Sequence, residues 1–184
     1  GVVDHYYYSR AEETFPQGGA AFNFIGLKRD LWASELGVEP KLYITEWNIK
    51  SSNLYQNGMR SASTILNQFS EMVNNGVDTA HIWAVQHNTS TDLTGGNGDP
   101  LLLDAAGRTI NTVRGGVFDL ISQSLPQQHV AEVTVDHITQ ELLVNAYSSE
   151  AKLVLYLASN SDQKIEQTIS FENFESKYSF ISSV

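Results

Sequence analysis

Lys41-Leu42-Tyr43-Ile44-Thr45-Glu46-Trp47-Asn48 is the stretch on which the reading of this chain turns. Pro40 breaks the segment before it, and Leu42 to Thr45 reads as a short buried strand. The strand delivers a carboxylate, Glu46, followed by an aromatic, Trp47, and an amide, Asn48. In α/β barrels the C-terminal tips of the strands are where reactive groups gather. Glu46 is therefore the first candidate for chemistry.

Working outward, the chain alternates. Val2 to Tyr8 is rich in β-branched and aromatic residues and reads as a strand. A loop with Pro16, Gly18 and Gly19 follows, then Phe22, Leu27, Leu31 and Leu36 recur at helical spacing until Gly37 and Pro40. After the central strand, Met59, Ala62, Leu66, Phe69 and Val73 predict an amphipathic helix ended by Asn75-Gly76. Thr79 to Val85 reads as a strand, and a polar, Gly-rich loop runs from His87 to Pro100. Leu101 to Asp104 and Arg108 to Ile110 suggest a small hairpin turning at Ala106-Gly107. Val113, Val117, Leu120, Ile121 and Leu125 mark a third helix.

Strand-helix alternation implies parallel strands with right-handed crossovers. Residues 1–125 are thus expected to be α/β. Three βα units are too few to close a barrel, but they match the last part of a (β/α)8, or TIM, barrel. From Pro126 the pattern changes to short strands: Val130 to His137, Glu141 to Tyr147, Lys152 to Ala158, Gln167 to Phe171 and Tyr178 to Ile181. Residues 126–184 are expected to be all-β, an antiparallel β-sandwich left incomplete at about five strands.

Composition limits the function classes. Of 184 residues, 41% are hydrophobic, enough for a core, and the formal charge is −10. That acidity argues against nucleic acid and anionic membranes as partners. No stretch is apolar for a transmembrane length. With no cysteine, disulfides, thiolate metal sites and cysteine catalysis are excluded. His81 and His87 lack helical HxxxH or HExxH spacing, so neither metal nor cofactor is expected. Asn88-Thr89-Ser90 matches a glycosylation sequon, relevant only to a secreted eukaryotic protein.

Each barrel-like strand presents something at its C-terminal end: His5-Tyr6-Tyr7, then Thr45-Glu46-Trp47-Asn48, then Trp83. This order resembles strands six, seven and eight of the clan A (β/α)8 glycoside hydrolases, in particular the β-xylosidase-like and arabinofuranosidase-like members with a C-terminal β-sandwich. The resemblance implies a retaining glycoside hydrolase acting on plant or algal poly- or oligosaccharides. Glu46 would be the nucleophile. Tyr7 would hydrogen-bond that carboxylate, His5 would line the pocket, and Trp83 would floor the sugar site. Asn48, two residues after Glu46, joins His5, Tyr7 and Trp83 as a substrate-binding candidate. The acid/base carboxyl of that family lies on strand four, which would precede Gly1. The expected partners are therefore a carbohydrate and the upstream remainder of the barrel, and the expected location is extracellular or periplasmic. Two rival readings are a non-catalytic carbohydrate-binding barrel and a polysaccharide lyase; the chain's acidity leans against the lyase.

The chemistry is self-consistent. Retaining hydrolysis uses two carboxyl groups about 5–5.5 Å apart, one attacking and one delivering a proton. A tyrosine hydroxyl donating to the nucleophile favours its charged form. An indole face matches the axial C–H groups of a pyranose.

Overall fold

The computed structural model describes residues 1–8, 24–49, 58–87, 92–95, 103–134, 142–159, 161 and 163–170, the side chains of residues 7, 8, 24 and 27 excepted. The Pro16 loop, the Asn88 sequon and the expected strand Tyr178 to Ile181 lie outside the described residues. Within them the fold is mixed α/β with two three-stranded sheets.

The first sheet has the order β1-β2-β3, all parallel: β1 (Val2–Tyr8), β2 (Leu42–Ile49) and β3 (Thr79–Ile82). Helix α1 (Phe24–Leu36) connects β1 to β2, and α2 (Met59–Asn74) connects β2 to β3. β2 runs four residues beyond the expected end at Thr45, whereas β3 stops at Ile82, short of Val85. Both helices pack on one face of the sheet.

The apolar stripe expected on α1 is corrected in part. Leu31 and Leu36 point to solvent, while Ile25 is fully buried and Trp32 packs against the core. Two polar contacts set this rotation. Lys28 Nζ reaches Asp4 Oδ2 of β1 at 2.6 Å, and the amide of Ile25 donates to Glu71 Oε1 of α2 at 2.7 Å. The same Glu71 carboxylate accepts the Tyr6 hydroxyl of β1. One buried carboxylate thus joins β1, α1 and α2, and its negative charge sits where the α1 macrodipole favours it. At its other end α1 stops where Gly37 takes a positive φ of 67°, and Arg29 donates to the carbonyl of Asn75, just past α2.

Residues 103–109 form the expected hairpin turn. Leu103 bridges Thr109, and the Asp104 amide donates to Arg108 O at 2.8 Å. The Asp104 carboxylate accepts the amides of Ala106 and Arg108, and the Arg108 bonds hold its pKa below the usual value. Helix α3 (Val113–Ser124) starts at an N-cap threonine, Thr112, whose hydroxyl accepts the Gly115 amide at 3.2 Å.

The second sheet is antiparallel in the order β4-β5-β6: β4 (His129–Ala131), β5 (Leu142–Ser148) and β6 (Leu153–Ser159). Helix α3 ends at Ser124 and β4 begins at His129, on either side of Pro126. The expected strand at Gln167 is not formed: residues 164–170 carry no regular structure. The two sheets share one core. Tyr147, Val154 and Tyr156 cluster with Ile65, Leu66, Met72, Val117 and Trp47.

That shared core explains the unusual burial of α2, where Ser61, Ser63, Thr64, Gln68, Ser70 and Glu71 are all buried. The helix lies between the sheets, so its polar side meets protein, and Ser70 Oγ there lies 2.7 Å from Tyr147 Oη. At the end of α3, Ser124 Oγ meets Tyr156 Oη. The two tyrosine rings stack edge-on at 5.9 Å. Burial raises the pKa of both phenols above the usual tyrosine value.

These two phenols make stability depend on pH. A phenol whose folded pKa is raised binds its proton more tightly when folded. Its stabilising share is complete below the unfolded value of about 10 and is lost as pH rises through the folded value. Urea midpoints are expected to fall steeply above pH 10, and less steeply for the Tyr147→Phe/Tyr156→Phe double variant. Equal alkaline slopes for the two proteins would contradict this.

Candidate functional site

The site rests on a one-residue irregularity in β2. In the β1–β2 ladder Asp4 pairs with Ile44 but His5 pairs with Glu46. In the β2–β3 ladder Ala80 pairs with Ile44 but Ile82 pairs with Trp47. Both ladders skip one residue of β2 between Ile44 and Trp47, so Thr45 and Glu46 together stand opposite His5. This is a β-bulge, uncommon in a parallel sheet.

Burial shows its consequence. Before the bulge Leu42 and Ile44 are buried; after it Trp47 and Ile49 are. Even-numbered residues face the helices before the bulge and odd-numbered ones after it. Strict alternation would have sent Glu46 under the helices with Leu42 and Ile44. The bulge turns it to the opposite face, where it is half-buried.

The neighbouring strands place their residues by the same register. On β1, Asp4 and Tyr6 face the helices, so His5 lies on the Glu46 face, exposed. On β3, Ile82 packs with the core opposite Trp47, so His81 and Trp83 lie on the Glu46 face, and both are exposed. The Cα atom of Tyr7 pairs with that of Asn48, which puts Tyr7 at the same strand ends; its side chain lies outside the described residues. His5, Glu46 and Trp83 therefore share one face at the C-terminal ends of three adjacent parallel strands.

Asn48 is the exception. It is 0% exposed, and its amide is engaged within the protein. Nδ2 donates to Trp83 O at 2.8 Å, and Oδ1 accepts the Ile49 amide at 2.7 Å. Expected to touch ligand, Asn48 is turned inward instead, because the end of β3 leaves the Trp83 carbonyl for it to satisfy.

Trp83 itself is 40% exposed. Its ring lies 4.9 Å from the His87 ring, tilted by 53°. The Trp83–Ala84 peptide is cis. Buried Asp92 accepts the His87 amide at 2.6 Å. The Leu93 amide donates to Ala84 O and Val85 O, and that of Thr94 to Val85 O at 3.0 Å. The Thr112 hydroxyl in turn meets Asp92 O at 2.8 Å and Leu93 O at 3.1 Å. The segment carrying Trp83 and His87 is thus anchored on the start of α3.

His81, which the sequence raised only as a metal ligand, lies on the Glu46 face opposite the bulge, and its two-residue spacing from Trp83 carried that signal. Asp92 gave none, sitting in a polar loop. Among the described residues, no three His, Cys, Asp or Glu side chains are grouped to hold a metal ion, and no helix is long and apolar enough to cross a membrane. No protein-family model matches the chain, and no curated protein matches it.

Gly115 is the weak point of the anchor. A Cβ there would stand 1.8 Å from Leu93 O, a backbone atom. Gly115→Ala must displace the 92–95 segment, and overpacking of this kind costs about 1–3 kcal/mol. Hydrogen exchange is expected to show the Leu93 and Thr94 amides losing protection while those of β2 keep theirs. Unchanged protection of Leu93 and Thr94 would refute the anchoring.

Proposed function

We propose that this chain is the C-terminal portion of a retaining glycoside hydrolase: the last three βα units of a (β/α)8 barrel with part of a β-sandwich. The observation that carries the proposal is the bulge at Thr45-Glu46, with the shared face it creates for His5, Glu46 and Trp83. A carboxylate, an imidazole and a partly exposed indole at the C-terminal ends of parallel strands suit sugar chemistry. The sharp change to antiparallel structure near Pro126 fits the second part of the proposal.

In this reading Glu46 attacks the anomeric carbon, and the glycosidic bond breaks as a second carboxylic acid protonates the leaving oxygen. Water, deprotonated by the same second group, then releases the sugar from the glycosyl-enzyme and restores the Glu46 carboxylate. That second group is assigned to a strand preceding Gly1. His5 lines the pocket, and Trp83 stacks on the sugar. The substrate class is plant or algal poly- or oligosaccharide.

In the complete protein, Glu46→Gln should lower aryl-glycoside turnover by roughly 10^4-fold or more, because the amide cannot attack. Sugar affinity should change little. Azide should restore turnover to Glu46→Gly, giving a glycosyl azide of inverted configuration. Near-normal turnover by Glu46→Gln would end the nucleophile assignment. Sugar binding with no hydrolysis by the unaltered complete protein would favour a non-catalytic carbohydrate-binding role.

A further inference from the structure

We infer that Asn48 is a positioning residue: with Gln68 it forms a buried amide clamp that sets where Trp83 stands relative to Glu46. The ligand-binding part of this inference rests on the carbohydrate reading above; the positioning part does not.

β3 ends at Ile82, so the ladder does not fix the residues after it. Trp83 is nevertheless held at both backbone groups by β2. Its amide donates to Trp47 O at 3.1 Å, and its carbonyl accepts Asn48 Nδ2 at 2.8 Å. The Asn48 side chain acts as one more rung of the sheet. Its orientation is fixed, because Oδ1 takes the Ile49 amide and a reversed amide would set two carbonyl oxygens against each other.

The clamp is itself held from α2. Gln68, 0% exposed, brings Nε2 to Asn48 O at 3.2 Å and to Tyr6 O at 3.4 Å. The two buried amides thus tie together the ends of all three strands. The residues they grip are Tyr6, next to His5; Asn48, two along from Glu46; and Trp83. A group with no exposed surface affects a ligand only through the residue it holds, and that residue here is Trp83.

The test is a double-mutant cycle on the complete protein, with 5-fluorotryptophan at positions 32, 47 and 83 and cellohexaose and xylohexaose as probes. In Asn48→Ala the fluorine line of Trp83 should shift and broaden while that of Trp32 stays. Affinity for whichever probe binds should fall about tenfold. Asn48→Ala should add almost nothing in a Trp83→Ala background, since it acts through that ring. An unmoved Trp83 line, or additive losses of affinity, would overturn the inference. Should neither probe bind the unaltered protein, the carbohydrate reading fails and the Trp83 line alone decides the positioning claim. Asn48→Asp keeps the shape while presenting an acceptor to Trp83 O, and it is read in the same way if Asn48→Ala does not fold. Unfolding of both while Trp83→Ala folds would also overturn the inference, because Asn48 would then hold the sheet and not the ring.

Discussion

The organisation of the open face depends on the extra residue in β2. Leu42, Ile44, Trp47 and Ile49 must all lie under the helices, yet the middle gap between them is three residues wide. A regular strand cannot satisfy all four. One solution keeps the ladder intact and buries Glu46 beside Leu42 and Ile44, which costs several kcal/mol for an uncompensated charge. The other lets Thr45 and Glu46 share one position, at the cost of a locally broken ladder, about 1 kcal/mol per lost hydrogen bond. The second is cheaper, and it is the one adopted. The apolar demand on one face therefore delivers a carboxylate to the other.

Much of the remaining structure serves that sheet. Glu71 joins the Tyr6 hydroxyl to the start of α1, which fixes the strand carrying His5. Gln68, one turn earlier on α2, ties the ends of β1 and β2. On its other side α2 meets the second sheet through Ser70 and Tyr147. A helix that reads as amphipathic is thus enclosed from both sides, and its short polar residues serve as connectors. The second sheet supports the helix that holds the candidate site together.

The elements themselves were largely legible in the sequence. Val2–Tyr8, the two crossover helices, the hairpin at Gly107, α3 and the strands β5 and β6 all carry clear periodicity or turn residues. Three things were not legible, each for a physical reason. The bulge is hidden because Ile44-Thr45-Glu46-Trp47 resembles ordinary alternation at each step and fails only when both flanking ladders are counted. The burial of Asn48 depends on a carbonyl 35 residues away. The rotation of α1 is set by Asp4 and Glu71 rather than by its leucines. The expected strand at Gln167 failed because its alternation is short, and residues 164–170 enter neither sheet. In the candidate site, His5, Glu46 and Trp83 were legible as strand ends expected to meet at one pocket, while the bulge on which the direction of Glu46 depends was not.

Covalent trapping tests the central claim most directly, namely that the bulge aims a nucleophilic carboxylate at a sugar. The complete protein would be incubated with 2-deoxy-2-fluoro glycosyl fluorides of the gluco, galacto, xylo and arabino series, then digested and mapped by mass spectrometry. The fluorine slows both steps but leaves an activated leaving group, so a glycosyl-enzyme accumulates on the attacking residue. The expected result is one added sugar per chain, on the peptide spanning residues 42–49 and localised to Glu46. A sugar mapped to any other carboxylate would contradict it.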